Sequence, residues 1–225
     1  MQKKKVIALL PMKANSERVK GKNFKRLGDK PLFRWILDSL LAVEAIDQVV
    51  INTDARDILA ENGLVESDRV RIRDRRKELC GDLVSMNLIL EDDLEAIESD
   101  LYLMTHTTNP LISAETIERA ISTFMADHSS DSLFSVNRTQ TRFYREDGSP
   151  VNHDPDNLVR TQDLEPWLEE NSCLYLFTRQ SFATTRARIG SNPQMFETPR
   201  LESLDIDEPY DWELVSAVVN SNKEG

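Results

Sequence analysis

Six cationic side chains, Lys13, Arg18, Lys20, Lys22, Lys25 and Arg26, fall in a short stretch holding one acid, Glu17, within a chain of net charge −11. An apolar run at 6–10 precedes the stretch and a helix-like pattern follows it, so it reads as a basic loop at the end of a strand. Cations and backbone amides gathered there suit a polyphosphate, since fixed donors replace its water and offset its charge. A solvated basic loop is the alternative reading. The order of residues excludes a Walker A loop, because Gly21-Lys22 is followed by Asn23 and the first glycine position holds Ser16. A dinucleotide fingerprint is equally hard to find in a chain with seven glycines.

A second candidate for chemistry is the pair Asp205 and Asp207. On an extended segment, residues i and i+2 point to one side, about 6 to 7 Å apart along the backbone, so their carboxylates can converge on one hard cation. Magnesium fits that geometry. Ile206 would face the core, and the turn at 209–211 would start a last helix with Asp211 as its N-cap. No Ser-His-Asp or Cys-His arrangement for nucleophilic catalysis is evident.

Positioning these groups requires a scaffold, and the apolar periodicity supplies one. Leu32, Phe33, Ile36, Leu37, Leu40 and Leu41 share a helical face, and a buried strand follows at 49–51. Further strands are expected at 70–72, 101–105, 132–136 and 174–177, with helices near 84–97 and 113–126, the latter N-capped by Ser113. Such alternation implies an α/β fold with a mostly parallel sheet and helices on both faces. From about 137 to 171 the pattern breaks into short polar pieces, a stretch long enough to be functional or to cross to a partner.

At 225 residues and 40% hydrophobic content the chain can bury one full core. Its acidity argues against general nucleic-acid binding. Lys3 to Lys5 resemble the start of a signal peptide, but no small-residue cleavage site follows, and no stretch approaches a membrane span. Cys80 and Cys173 lack CxxC or His partners, so a zinc site is not expected and a reducing cytoplasm is.

Residues 6–41 resemble the opening of the CMP-sialic acid synthetases (acylneuraminate cytidylyltransferases), which typically show I-P-A-R-x-x-S-K-R-x-x-x-K-N and then a Gly-Lys-Pro-Leu turn. Pro11, Ser16, Arg18, Lys22 and Asn23 match, Lys13 stands at the first Arg position, and Asp29-Lys30-Pro31-Leu32 matches the turn. The resemblance implies that Pro11, Lys13, Ser16, Arg18, Lys22 and Asn23 hold the CTP phosphates and nucleotide. Two departures stand out: Lys13 lacks the bidentate fork of Arg, and Glu17 replaces a usual Lys. Arg75 resembles the Arg of the family's R-P-x-x-L, which approaches the nucleotide. His106, in L-M-T-H-T-T-N-P-L, stands where the family has a Gln that contacts substrate.

The segments at 158–166 and 170–177 resemble R-x-Q-x-L-P and E-N-G-A-I-Y-I-F. There the resemblance implies contact of Arg160 and Gln162 with an acidic sugar, a shaping role for Asn171 and Tyr175, and a dimer contact, making 137–175 an extension of a single domain. Ser172-Cys173 replaces Gly-Ala. The family's D-I-D-x-P-x-D ending makes Asp205 and Asp207 the magnesium pair. The implied fold is a Rossmann-like nucleotidyltransferase, and the implied reaction is transfer of CMP from CTP to an acidic 2-keto sugar by a cytoplasmic homodimer. Lys22, Arg18 and Asp207 would act at the reacting phosphates. The alternatives are another acceptor, such as a 3-deoxy-octulosonate, a polyol phosphate or a phosphonate, and a catalytically weak nucleotide-binding protein.

Overall fold

The computed structural model describes residues 4–221, so Lys3 lies outside the described residues. Its chain order is β1 (Val6–Leu9), β2 (Arg26–Leu27), β3 (Lys30–Pro31), α1 (Leu32–Ala42), β4 (Gln48–Thr53), α2 (Arg56–Glu61), β5 (Val70–Asp74) and α3 (Met86–Ala96). Then follow β6 (Leu101–Met104), α4 (Ala114–Ala126), β7 (Ser132–Thr139), β8 (Trp167–Phe177), α5 (Arg179–Thr185), β9 (Pro193–Glu197) and α6 (Pro209–Ser221).

Seven strands form one sheet in the order β5-β4-β1-β6-β8-β7-β9, while β2 and β3 pair separately. Within the seven-stranded sheet of the described residues β8 runs against its neighbours β6 and β7, and the other pairs are parallel. Side chains of β1 alternate between two cores, as strand periodicity demands. Val6, Ala8 and Leu10 pack with Phe33, Ile36 and Leu37 of α1 and Ile117 and Ile121 of α4. Ile7 and Leu9 pack with Leu90 and Leu94 of α3 and Phe182 of α5. A third cluster joins Ile206 to Leu27, Leu32, Val215 and Val219, which docks α6 beneath the basic loop.

The expected N-cap of α4 is present, with the Ser113 hydroxyl accepting from Thr116 N at 3.1 Å. Asp211 is a correction. Helix α6 begins at Pro209, whose missing N–H costs nothing in a first turn, and Asp211 lies inside that turn. Its carboxylate reaches back to accept from Glu208 N at 2.7 Å and Asp207 N at 3.0 Å, the half of a capping box that lies within the helix.

The polar stretch leaves the sheet as an extension of β7 and β8. Its tip carries exposed Tyr144, Leu158 and Val159, and Trp167 at its base stacks on Phe143 with ring centroids 5.1 Å apart. No helix among the described residues is long and apolar enough to cross a membrane.

Candidate active site

The chain passes from β1 to β4 and β5 on one side and returns to β6 on the other, so β1 and β6 bound the crevice where open α/β sheets bind ligands. A cleft of about 360 Å³ opens there at the carboxyl ends of the strands. Pro11, Lys13, Ser16, Arg18, Lys22, Asn23 and Arg75 all line it, with His106 and Asp207.

Buried Asn23 braces the basic loop: its amide donates to Lys13 O at 2.8 Å and its carbonyl accepts from Thr107 Oγ1 at 2.6 Å. Gly21 supports the turn at φ 61°, in the left-handed region that suits glycine. Lys22 is buried, and its ammonium donates to the carbonyl of Ile206 and faces Asp207 Oδ1 at 3.4 Å. The amino-terminal loop and the carboxyl-terminal aspartates therefore meet across 184 residues of chain.

Two more loop cations, Lys13 and Arg18, also hold carboxylates. Lys13 pairs with Asp82, which that ammonium pulls below the ordinary carboxylate range. Arg18 bridges Asp207 at 3.0 Å and Glu208 at 3.1 Å. Glu17, the departure in sign, lies on the cleft wall. Arg75 lines the cleft but donates to Asn52 Oδ1 at 3.0 Å, Asn52 O at 2.8 Å and Met12 O at 3.1 Å, so it staples the ends of β1 and β4. Burial lowers its pKa.

Burial, reinforced by the Arg188 guanidinium, pushes His106 down to about 3, which favours the neutral imidazole. Asp205 is not among the residues that line this cleft; burial raises its pKa, and its Oδ1 is buried without a hydrogen-bond partner.

Four residues that the resemblance assigned to the sugar lie elsewhere than this cleft. Arg160 is 72% exposed and pairs with Asp163 at 2.7 Å. Gln162 sits beside it on an exposed turn. Asn171 occupies a bulge of β8, where its carbonyl accepts from Ser135 Oγ and Cys173 N and its amide donates to Asn137 and Thr198. Every polar atom of that side chain serves the fold. Tyr175 is buried, with its hydroxyl donating to Glu170 and its pKa raised to about 12 by burial and that bond. Thr107, Thr108 and Met86 line the cleft without having been singled out, although both threonines lie in the motif that marked His106.

A family model described as Cytidylyltransferase matches residues 7–215. The chain is 25% identical to the CMP-N,N'-diacetyllegionaminic acid synthase of Legionella pneumophila, over 98% of each chain. It is 22% identical to a pseudaminic acid cytidylyltransferase of Campylobacter jejuni, also over 98% of each. An N-acylneuraminate cytidylyltransferase of Oncorhynchus mykiss is 27% identical over 94% of this chain and 49% of that one. Among solved structures, a CMP:2-keto-3-deoxy-manno-octonic acid synthetase complexed with CTP shares the fold at TM-score 0.69 and 17% identity, covering 97% of this chain and 99% of the other.

Proposed function

We propose that this chain, which belongs to the cytidylyltransferase family, transfers CMP from CTP to a 2-keto sugar acid of the sialic, legionaminic or pseudaminic kind and releases pyrophosphate. The observation that carries this reading is the convergence of Lys13, Ser16, Arg18, Lys22 and Asp207 on one cleft at the switch point of the sheet. Curated relatives spanning the whole chain are named for legionaminic and pseudaminic acids, which supports that acceptor class.

In this reading the loop cations hold the triphosphate while a hydroxyl of the sugar attacks the α-phosphorus in line. The new O–P bond forms as the bond to the β-phosphate oxygen breaks, and the hydroxyl proton passes to water. Alignment and charge stabilisation supply the acceleration, so no covalent nucleophile is needed. Lys22 has a second task, because its bond to Ile206 O sets the aspartate segment against the loop.

In this reading the cation is magnesium, supported by the hard oxygen donors of Asp205 and Asp207. Asp205 Oδ1 is buried without a partner, and Asp205 feels the Asp207 charge. Among the described residues no group of three or more His, Cys, Asp or Glu side chains could hold a metal. In this reading Asp205 and Asp207 would hold the ion, with water and phosphate oxygens completing its shell, as magnesium favours. When bound, the ion neutralises phosphate charge and polarises the reacting phosphoryl group.

The extension at about 137–175 belongs in this reading to a homodimer contact, supported by exposed Tyr144, Leu158, Val159 and Trp167. Light scattering that gives a monomer mass at micromolar protein would remove that part. The setting is the cytoplasm, consistent with two free thiols, Cys80 and Cys173.

The test is pyrophosphate release with magnesium and each of CTP, UTP, ATP and GTP, over sialic, legionaminic, pseudaminic and octulosonic acids and polyol phosphates. Release that requires CTP, one acidic sugar and a metal that EDTA removes is the expected result. Release with a polyol phosphate alone overturns the acceptor assignment, and folded protein that is silent across the panel overturns the reaction.

A further inference from the structure

Building on the cytidylyl-transfer reading above, we propose that Arg188 binds the carboxylate of the acidic acceptor in a second cleft beside His106. This cleft, of about 240 Å³, is lined by Met86, Asn87, Glu170 and Arg188 among others. Met86 also lines the first cleft, and Arg188 Nη1 lies 3.4 Å from Nε2 of His106, which faces the nucleotide side. An acceptor in the second cleft therefore has one end beside the phosphates.

The guanidinium has the chemistry for an anion and few partners of its own. It lies 3.9 Å over the Tyr175 ring, which fixes its plane. Its hydrogen-bond acceptors are a neutral ring nitrogen of His106 and the Met104 sulfur, the latter 3.9 Å away. The carboxylate of Glu170 forms a loose ion pair with Nη2 at 3.7 Å, longer than a hydrogen bond, and its same oxygen accepts from the Tyr175 hydroxyl. A fork of five N–H donors with only these weak acceptors matches a carboxylate.

The loop that carries Arg188 is held in place before any ligand arrives. Arg186 ends α5 in the left-handed region at φ 57°. Beyond it, Arg188 N donates to Asn87 Oδ1 at 3.4 Å and Gly190 N to Ser132 Oγ at 2.8 Å. Ser191 N and Asn192 N donate to the Asp131 carboxylate at 2.7 and 3.0 Å. A β-carbon at Gly190 would stand 2.2 Å from an Asp131 oxygen, so only glycine permits this closure. Arg160, by contrast, lies on the 137–175 extension, paired with Asp163 at 2.7 Å.

The experiment measures pyrophosphate release by wild type, Arg188→Met, Arg188→Lys and Arg160→Met, using N,N'-diacetyllegionaminic acid, N-acetylneuraminic acid and the carboxamide of each. In Arg188→Met the acceptor KM should rise about 100-fold, the loss of a charge-assisted pair, with the KM for CTP within about twofold of wild type. The preference of wild type for acid over carboxamide should collapse towards unity. Arg188→Lys, which retains the charge in a milder substitution, should recover part of that preference. Preference intact in both Arg188 variants, or lost in Arg160→Met instead, overturns the assignment and leaves cytidylyl transfer standing. Wild type that uses CTP only with acceptors lacking a carboxylate overturns the assignment together with the acid-sugar reading. Wild type that neither releases pyrophosphate nor binds either acid by calorimetry with CTP present refutes both proposals.

Discussion

Replacing Lys22 by Met tests whether the buried ammonium acts on the reaction beyond holding the fold. Its side chain is 8% exposed, with Ile206 O and Asp207 as partners. Removing it leaves the Ile206 carbonyl unpaired, a cost of about 1–3 kcal/mol for a buried acceptor. Asp207 keeps Arg18 at 3.0 Å, so its charge is not abandoned. For a chain of this size each kcal/mol lowers Tm by about 2–4 °C, which gives a shift of about 2–12 °C. With a typical stability of about 5–15 kcal/mol, most of the variant stays folded at 25 °C. The activity effect is separate and larger. A cation about 4 Å from developing phosphate charge is worth about 4 kcal/mol at an effective dielectric near 20, so kcat/KM should fall about 100- to 1000-fold. Calorimetry and steady-state pyrophosphate release on one preparation separate the two. A kcat/KM within tenfold of wild type, in protein that has lost the expected stability, would show that Lys22 serves the fold alone.

Glu17→Lys removes the one acid of the basic stretch from the cleft wall; the KM for CTP should fall several-fold at low ionic strength and the gain should shrink in about 0.5 M salt, whereas a salt-independent change would place position 17 away from the phosphates. Burial raises Asp93 to about 6 despite its contacts with Arg73 and Asn52. Raised folded affinity for the proton means that this group favours the fold below about pH 4, and that the advantage is lost as pH rises through about 6, about 3 kcal/mol in all. Urea melts should therefore show Asp93→Asn gaining on wild type between pH 4.5 and 7, and an offset that stays constant with pH would refute the titration. Ser172 adopts φ 59° where the resemblance has glycine, so Ser172→Gly should stabilise by up to about 1 kcal/mol, read as an unchanged or raised denaturation midpoint; a loss of more than that would mean that its bond to Tyr175 outweighs the backbone strain.

What the sequence made legible was local. The run ending at Leu10, the face of α1 and the Ser113 cap are short-range patterns, and each stands where the periodicity put it. Direction was not legible: 174–177 read as a strand, but nothing in its period says that β8 runs against β6 or that it starts at Trp167 inside the stretch read as irregular. Short α2 and the polar edge strand β9 carry too few apolar residues for a period to show. In the cleft, the loop residues were visible because they are contiguous. Arg188 was not, since its surroundings come from Met104, His106, Glu170 and Tyr175 on two other segments. Asn171 looked like a pocket residue because its motif did, whereas its amide closes a bulge.

The ion pairs of the basic loop bear on how a substrate would come and go. Lys13 is already joined to Asp82, Arg18 to Asp207 and Glu208, and Lys22 to Asp207. A triphosphate entering such a cleft does not settle on bare cations; it trades places with carboxylates that were there first. Those carboxylates remain tethered within reach and compete for the same cations once the chemistry is over. Affinity is given up at entry, and in return the pyrophosphate meets a rival at each of these three cations on its way out, which favours turnover over retention.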